Sequence, residues 1–161
     1  MFDTVLIANR GEIAVRAIRT LKRLGIRSVA VYADPDRNAA HVREADVAVA
    51  LGGAKAADSY LRMDLLLAAA REQGAQAIYP GYGFLSESAE FAQACEDAGI
   101  AFVGPTPLQI REFGLKHRSR ELAAAAGVPM TPGTGLLGSL GEALSQAERI
   151  GYPVMLKSTA G

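Results

Sequence analysis

The segment Pro80-Gly81-Tyr82-Gly83-Phe84-Leu85-Ser86-Glu87 is the most informative stretch of the chain. Two glycines around an aromatic let the backbone approach a ligand closely and leave N–H groups free. Tyr82 offers a flat face and a terminal hydroxyl, which suits a planar, amide-like ring. The plainer alternative is a glycine-rich turn before a helix, with Ser86 as N-cap and Glu87 favouring the helix dipole. For Ser86 and Glu87 the plainer reading leads. For Gly81 to Gly83 the ligand reading leads, since a mere turn does not need two glycines around a tyrosine.

Lysine occurs at only four positions, Lys22, Lys55, Lys116 and Lys157. Lys157 ends the apolar run Val154-Met155-Leu156 and precedes small residues, a place where an ammonium serves as a point charge for phosphate. Lys116 and His117, in Phe113-Gly114-Leu115-Lys116-His117, read by themselves as ordinary solvated or structural positions. Arg16, Arg19 and Arg23 share one helical face, opposite Ile13, Ala17, Ile18, Leu21 and Leu24, with Glu12 placed to pair with Arg16 at i,i+4. That face is either solvated or a subunit contact. Cys95, the single cysteine, sits in the apolar helical stretch Phe91-Ala92-Gln93-Ala94-Cys95 and reads as a packed thiol. No Cys/His/Asp/Glu spacing suggests a metal site.

Positioning these residues requires a scaffold, and the hydrophobic pattern supplies one. Short apolar runs at Val5-Ile7, Ser28-Tyr32, Val47-Ala50, Ala77-Tyr79 and Ile100-Val103 read as strands. Helical spacing over Ile13-Leu24, Met63-Gln73 and Ser88-Ala98 alternates with them, and Gly25, Gly74 and Gly99 stop those helices. This alternation predicts an α/β fold, a parallel sheet with helices on both faces and right-handed crossovers. Ligands gather at the carboxyl ends of such strands, so the loops after Ile7, Tyr32, Tyr79 and Val103 are the places to search. Beyond an Ala-rich helix ending near Gly127, the Gly- and Pro-dense stretch from Pro129 to Gly141 marks a linker or domain edge. A helix over Glu142-Ile150 and a strand over Val154-Lys157 then open an incomplete second domain.

Composition excludes several classes. Of 161 residues, 17 are Lys or Arg and 17 are Asp or Glu, so the formal net charge is zero, whereas proteins gripping nucleic acid phosphates carry a basic surplus. No apolar run approaches the ~20 residues of a membrane helix, and Met1-Phe2-Asp3 does not begin a signal peptide. One cysteine permits no internal disulfide, which makes the cytosol the default compartment. A dinucleotide-binding domain is the rival from another class, because Ala8-Asn9-Arg10-Gly11-Glu12 stands at the phosphate-loop position and Asp34 at the ribose-acid position. The G-x-G-x-x-G pattern is absent, however, and Asp34 before Pro35 is a good turn residue. A non-catalytic dimerisation module built on the Arg16/Arg19 helix is the other rival.

The ordered set of segments resembles biotin carboxylase, the ATP-dependent component of biotin-dependent carboxylases. The segments are Ile7-Ala8-Asn9-Arg10-Gly11-Glu12-Ile13-Ala14, His41-Val42-Arg43-Glu44-Ala45-Asp46, Ser59-Tyr60-Leu61, Tyr79 to Ser88, Gly104-Pro105, and Gly151-Tyr152-Pro153-Val154 with Lys157. The resemblance covers the whole chain. It implies a Rossmann-like domain (pre-ATP-grasp) over residues 1–113, then a linker helix and the start of an ATP-grasp domain over 114–161. It implies an enzyme that uses ATP and bicarbonate to make carboxyphosphate and then carboxylates N1 of biotin. By motif position, Lys116 and Lys157 would contact ATP phosphates, Tyr82 and Gly83 would lie against biotin, and Arg16 and Arg19 would sit at a homodimer interface. The family often carries an acid at the position of Arg23.

The implied Mg or Mn would be bound mainly by residues beyond this chain, as would bicarbonate, so the 161 residues alone are expected to turn over no ATP. A biotin carboxyl carrier domain and a carboxyltransferase domain are the implied partners. Leu115-Lys116-His117 and Lys157-Ser158-Thr159-Ala160-Gly161 look most like the biotin carboxylase domain of urea carboxylase, or urea amidolyase, or a related guanidine carboxylase. Acyl-CoA and pyruvate carboxylases are the alternative within the family.

Overall fold

The computed structural model describes residues 1–157, the side chain of Lys116 aside. It divides into two compact units, Met1–Pro107 and Leu108–Gly161. The first unit contains β1 (Thr4–Ile7), α1 (Gly11–Arg23), β2 (Arg27–Tyr32), α2 (Ala40–Glu44), β3 (Val47–Ala50), α3 (Met63–Glu72), β4 (Ala77–Tyr79), α4 (Ala89–Asp97) and β5 (Ala101–Phe102). All five strands are parallel, in the order β3-β2-β1-β4-β5. Leu6 of β1 stands beside Val29 of β2 on one side and Ile78 of β4 on the other.

Alternation along the central strand explains why helices cover both faces. Leu6 and Ala8 point into one core with Val29, Val31, Leu66, Ala70, Ile78, Phe91 and Cys95, where α3 and α4 pack. Ile7 points the other way, toward Ala14 and Ile18 of α1 and Ala30 of β2. Each fully buried Leu, Ile or Phe side chain contributes about 1.5–3 kcal/mol relative to exposure. The five strands predicted for the first unit therefore appear where apolar periodicity placed them. The Cys95 thiol is buried in this core, and burial pushes it up to about 11, the state of a packing group rather than a nucleophile.

Strand order fixes where a site can form. The chain leaves β1 toward β2 and β3, then returns across it to β4 and β5, so order reverses between β1 and β4. A crevice opens outside the carboxyl ends of strands at such a point. The turn after β1, residues 8–10, and the segment after β4, residues 80–83, face each other there.

Three local expectations are corrected. The N-cap of α4 is Ser88, whose Oγ accepts from Phe91 N at 3.1 Å, and not Ser86. Ser86 lies in the turn before the helix, where its N–H donates to Gly83 O. Helix α1 begins at Gly11, two residues before its apolar periodicity, because those first positions face outward and carry no hydrophobic signal. Residues 154–157 form no strand among the described residues. Their apolar run is compatible with a buried strand, but a segment with no neighbouring strand has no ladder to join.

The second unit carries α5 (Pro107–Gly114), which starts at its border, α6 (Lys116–Ala125) and α7 (Leu140–Ile150). Ser139 caps α7 by accepting from Glu142 N at 3.2 Å. Arg118 bridges Glu112 and Glu121, tying α5 to α6.

Candidate functional site

Asn9, immediately after β1, is buried although polar. Its side-chain nitrogen donates to Pro80 O and to Tyr82 O, both at 2.8 Å, and its Oδ1 accepts from Arg10 N at 2.9 Å. Every polar function of the amide is used, as burial demands. The bonds hold the backbone of the 80–83 segment against the turn after β1. Ala8 N donates to Tyr79 O at 2.9 Å and extends the same seam from the sheet.

Gly81 sits at φ +66°, and a Cβ there would stand 2.6 Å from Ile13 Cγ2 and 3.1 Å from Asn9 Nδ2. Glycine is required on both counts. Gly83, at φ +72°, has open space where a Cβ would stand, so its backbone faces no wall. Between them Tyr82 is 63% exposed. Its hydroxyl donates to Glu12 Oε1 at 2.6 Å, on the first turn of α1. That bond, more than the slight burial, raises the phenol above its ordinary range. Phe84 takes φ +43°, unusual for a non-glycine residue. Its ring stacks on Tyr60 at 5.0 Å between centroids and joins the core. The loop thus turns one aromatic inward as an anchor and leaves the other open.

Tyr60 continues the support. Its hydroxyl donates to Asp36 Oδ2 at 2.6 Å and accepts from Ala33 N at 3.0 Å. Burial pushes this phenol well up. Arg10 lies 5.9 Å over the Tyr60 ring and 3.4 Å from Asp36. Arg10 is therefore drawn toward Asp36 and Tyr60. The acid engaged beside the first loop is Asp36, while Asp34 opens a short turn over Asp34–Asp36 and pairs with Arg37 at 3.9 Å. No glycine-rich pyrophosphate cradle exists at Gly11, which keeps the dinucleotide reading without geometric support.

The expected arginines lie together. Arg16 and Arg19 line a shallow groove along α1 with Glu12, Thr20 and Arg23. Arg19 makes a two-pronged contact with Glu44 of α2, at 3.1 and 3.2 Å, and this hydrogen bonding holds the Glu44 carboxyl below the usual carboxylate range. Arg16 reaches Tyr79 Oη at 3.5 Å. The anticipated Glu12–Arg16 pair does not form among the described residues, because Glu12 is engaged by Tyr82. Lys116 is the first residue of α6, and its side chain lies outside the described residues. Lys157 is exposed, and Ser158 to Gly161 lie outside the described residues.

Sequence reasoning named Tyr82 and Gly83 but missed Asn9 and Glu12 as their supports, and Tyr60 as the platform under Phe84. An Asn directly after an apolar strand run was the available signal for the first. The others depend on contacts between residues far apart in sequence.

Residues 1–110 match the family model for the biotin carboxylase N-terminal domain, and residues 116–161 match that for the ATP binding domain of the carbamoyl-phosphate synthase L chain. Urea amidolyase of Lachancea kluyveri is 61% identical over 160 residues, 99% of this chain and 9% of that protein. The crystal structure of the K. lactis urea amidolyase superposes with a TM-score of 0.79 at 59% identity, covering 81% of this chain and 8% of that one. The biotin carboxylase domain dimer of Hydrogenobacter thermophilus 2-oxoglutarate carboxylase, solved with MgADP, ADP and bicarbonate, superposes at a TM-score of 0.91 and 49% identity, over 100% of this chain and 36% of that one. The chain therefore spans less than a tenth of the urea amidolyase it matches. The matching model covers most of the chain, on a parallel sheet whose switch point holds the Tyr82 loop: the chain belongs to the biotin carboxylase N-terminal domain family.

Proposed function

We propose that these residues serve the biotin carboxylase component of a urea carboxylase, with guanidine as the close alternative acceptor. The parent enzyme uses ATP and bicarbonate to make carboxyphosphate, then carboxylates N1 of biotin. The observation that carries this reading is the exposed Tyr82 ring, held by its hydroxyl and its backbone at the β1/β4 crevice. A ring fixed at its edge presents a face to a flat ureido group without first losing rotamer freedom. Gly83 leaves its backbone open beside that face. The identity to urea amidolyase supports the choice of acceptor over acyl-CoA and pyruvate carboxylases.

Biotin and ATP supply the carboxyl-accepting nitrogen and the transferred phosphoryl group. Tyr82 and Gly83 hold the biotin ring. Lys116 and Lys157 meet the ATP phosphates, where positioning and charge neutralisation provide most of the catalysis. Mg or Mn is assigned to acids of the parent enzyme outside this sequence. Among the described residues no group of three or more His, Cys, Asp or Glu is placed to hold a metal ion.

Residues 1–113 form the N-terminal domain in this reading, and 114–161 the linker helix and opening of the ATP-grasp domain. The matched regions, ending at 110 and beginning at 116, support that border. The biotin carboxyl carrier domain and a carboxyltransferase domain are the partners. Arg16 and Arg19 belong to a homodimer contact. The compartment in this reading is the cytoplasm. Among the described residues no helix is long and apolar enough to cross a membrane.

ATP hydrolysis by the complete parent enzyme tests the reading, with and without bicarbonate and free biotin, in wild type, Lys116→Ala and Lys157→Ala. Hydrolysis that needs bicarbonate, rises with biotin and collapses in both variants is expected, together with urea-dependent turnover. Indifference to biotin overturns the assignment of Tyr82, and carboxylation of an acyl-CoA instead of urea overturns the acceptor. The 161 residues alone are expected to release no phosphate.

A further inference from the structure

We infer that Asn9 and Glu12 are positioning residues for biotin, acting through Tyr82; this rests on the assignment of Tyr82 to the biotin site. The two residues fix different parts of the loop. Asn9 holds the backbone from below, bonding Pro80 O and Tyr82 O at 2.8 Å with the two protons of one amide nitrogen. Aspartate has no proton to give, and a serine hydroxyl has only one, so asparagine is the short side chain that can make both bonds while accepting from Arg10 N. Exchanging its oxygen and nitrogen would aim an oxygen at two carbonyls, so the network sets the orientation. Glu12 holds the far edge of the ring, its Oε1 taking the Tyr82 hydroxyl at 2.6 Å. Backbone and hydroxyl are the two ends of the tyrosine, and with both held the ring cannot swing.

The same contacts explain why the turn after β1 needs its residues although it holds no phosphate cradle. Asn9 and Glu12 bracket Gly11, whose φ of +60° places Arg10 and Glu12 on diverging paths. Arg10 goes to Asp36, and Glu12 goes to Tyr82. Ile13 closes the gap by packing where a Gly81 side chain would stand. A turn at the phosphate-loop position has thus become the support for a neighbouring loop.

The test uses the complete carboxylase and free biotin, with KM measured separately for biotin and for ATP. Glu12→Ala and Tyr82→Phe each break the same bond, and each is expected to raise the biotin KM about tenfold, the scale of one hydrogen bond to a charged acceptor. Their combination should be no worse than either alone. Glu12→Gln keeps an acceptor oxygen and should restore most of the affinity. The ATP KM should move less than twofold in these variants, about the scatter of surface substitutions. Asn9→Ala should show the same preference for biotin over ATP; if it fails to fold, the exposed Glu12 pair carries the test. If Tyr82→Ala raises the biotin KM while Glu12→Ala and Tyr82→Phe do not, the positioning role is wrong and the biotin assignment stands. If Tyr82→Ala also leaves the biotin KM unchanged, both are wrong.

Discussion

Tyr82 and Glu12, 70 positions apart in sequence, meet at 2.6 Å across the reversal of strand order, joining the loop after β4 to the first turn of α1. The contact has a spectroscopic consequence. The carboxylate accepts the phenolic proton and so favours the neutral phenol, which raises its pKa above the ordinary 10.0. In an ultraviolet difference titration against Tyr82→Phe, the Tyr82 step should lie above that value in the wild type. Glu12→Gln removes the charge and should move the step downward. A step that stays in place in Glu12→Gln would show that the bond does not form in solution.

Gly81 tests how tightly the loop is seated. Gly81→Ala must accept a positive φ and push a methyl group to 2.6 Å from Ile13 Cγ2, at a cost of about 1–3 kcal/mol. Chemical denaturation should report that loss. The steric part should shrink on an Ile13→Ala background, leaving the φ part, so the two substitutions are expected to be less than additive. Strict additivity would mean that the methyl group never meets Ile13.

The sheet and its helices were legible because each element carries a period of its own. Strand Val5-Leu6-Ile7 is apolar throughout since both faces are covered, and Ala14, Ala17, Ile18 and Leu21 repeat at helical spacing over the core. The outer features were legible as residue types and not as relationships. Tyr82 was readable as an exposed platform, but nothing local to it indicates Glu12. Nothing in Asp34-Pro35-Asp36 says which acid will face Arg10 and Tyr60. Val154 to Lys157 misled because a short apolar run records hydrophobicity and not the neighbour a ladder requires. Ser86 and Ser88 are equally good caps by type, and only the path set by Gly83 and Phe84 decides that Ser88 starts the helix.

Asp46 pins the edge of the sheet. Its Oδ2 accepts from Ser28 N at 2.8 Å and from Ser28 Oγ at 2.7 Å, while its own N–H donates back to Ser28 Oγ at 3.1 Å. The bond from the Ser28 backbone, followed by that from its hydroxyl, holds the Asp46 carboxyl below its ordinary 3.8. The folded-state value is depressed, so the stabilisation is present above about 3.8 and is lost as pH falls through the folded value. Asp46→Ala leaves the buried Ser28 without its acceptor and should cost about 1–3 kcal/mol at neutral pH. The difference between variant and wild type in urea titrations should narrow below pH ~4, near the ordinary carboxylate range. A gap that persists unchanged into strong acid would assign the loss to packing instead.

His41 should govern stability in a higher window. It is fully buried at the foot of α2, with Nε2 placed to donate to Val31 O at 3.3 Å and, among the described residues, no hydrogen-bond partner for Nδ1. Desolvation lowers its pKa from 6.5, against smaller raising effects from the Val31 carbonyl and Asp36, while Arg10 adds to the lowering. Burial thus selects the neutral ring with the proton on Nε2. Because the folded value is depressed, the unfolded chain binds more protons between the folded value and 6.5. The stabilisation is therefore complete above 6.5 and falls as pH drops below it. Denaturation midpoints measured from neutral pH down to ~5, above the range in which ordinary carboxylates titrate, should decline in wild type. They should flatten in His41→Gln, whatever the absolute stability of that variant. Equal slopes in wild type and His41→Gln would place the proton uptake elsewhere and would mean that the imidazole is hydrated in solution despite its burial here.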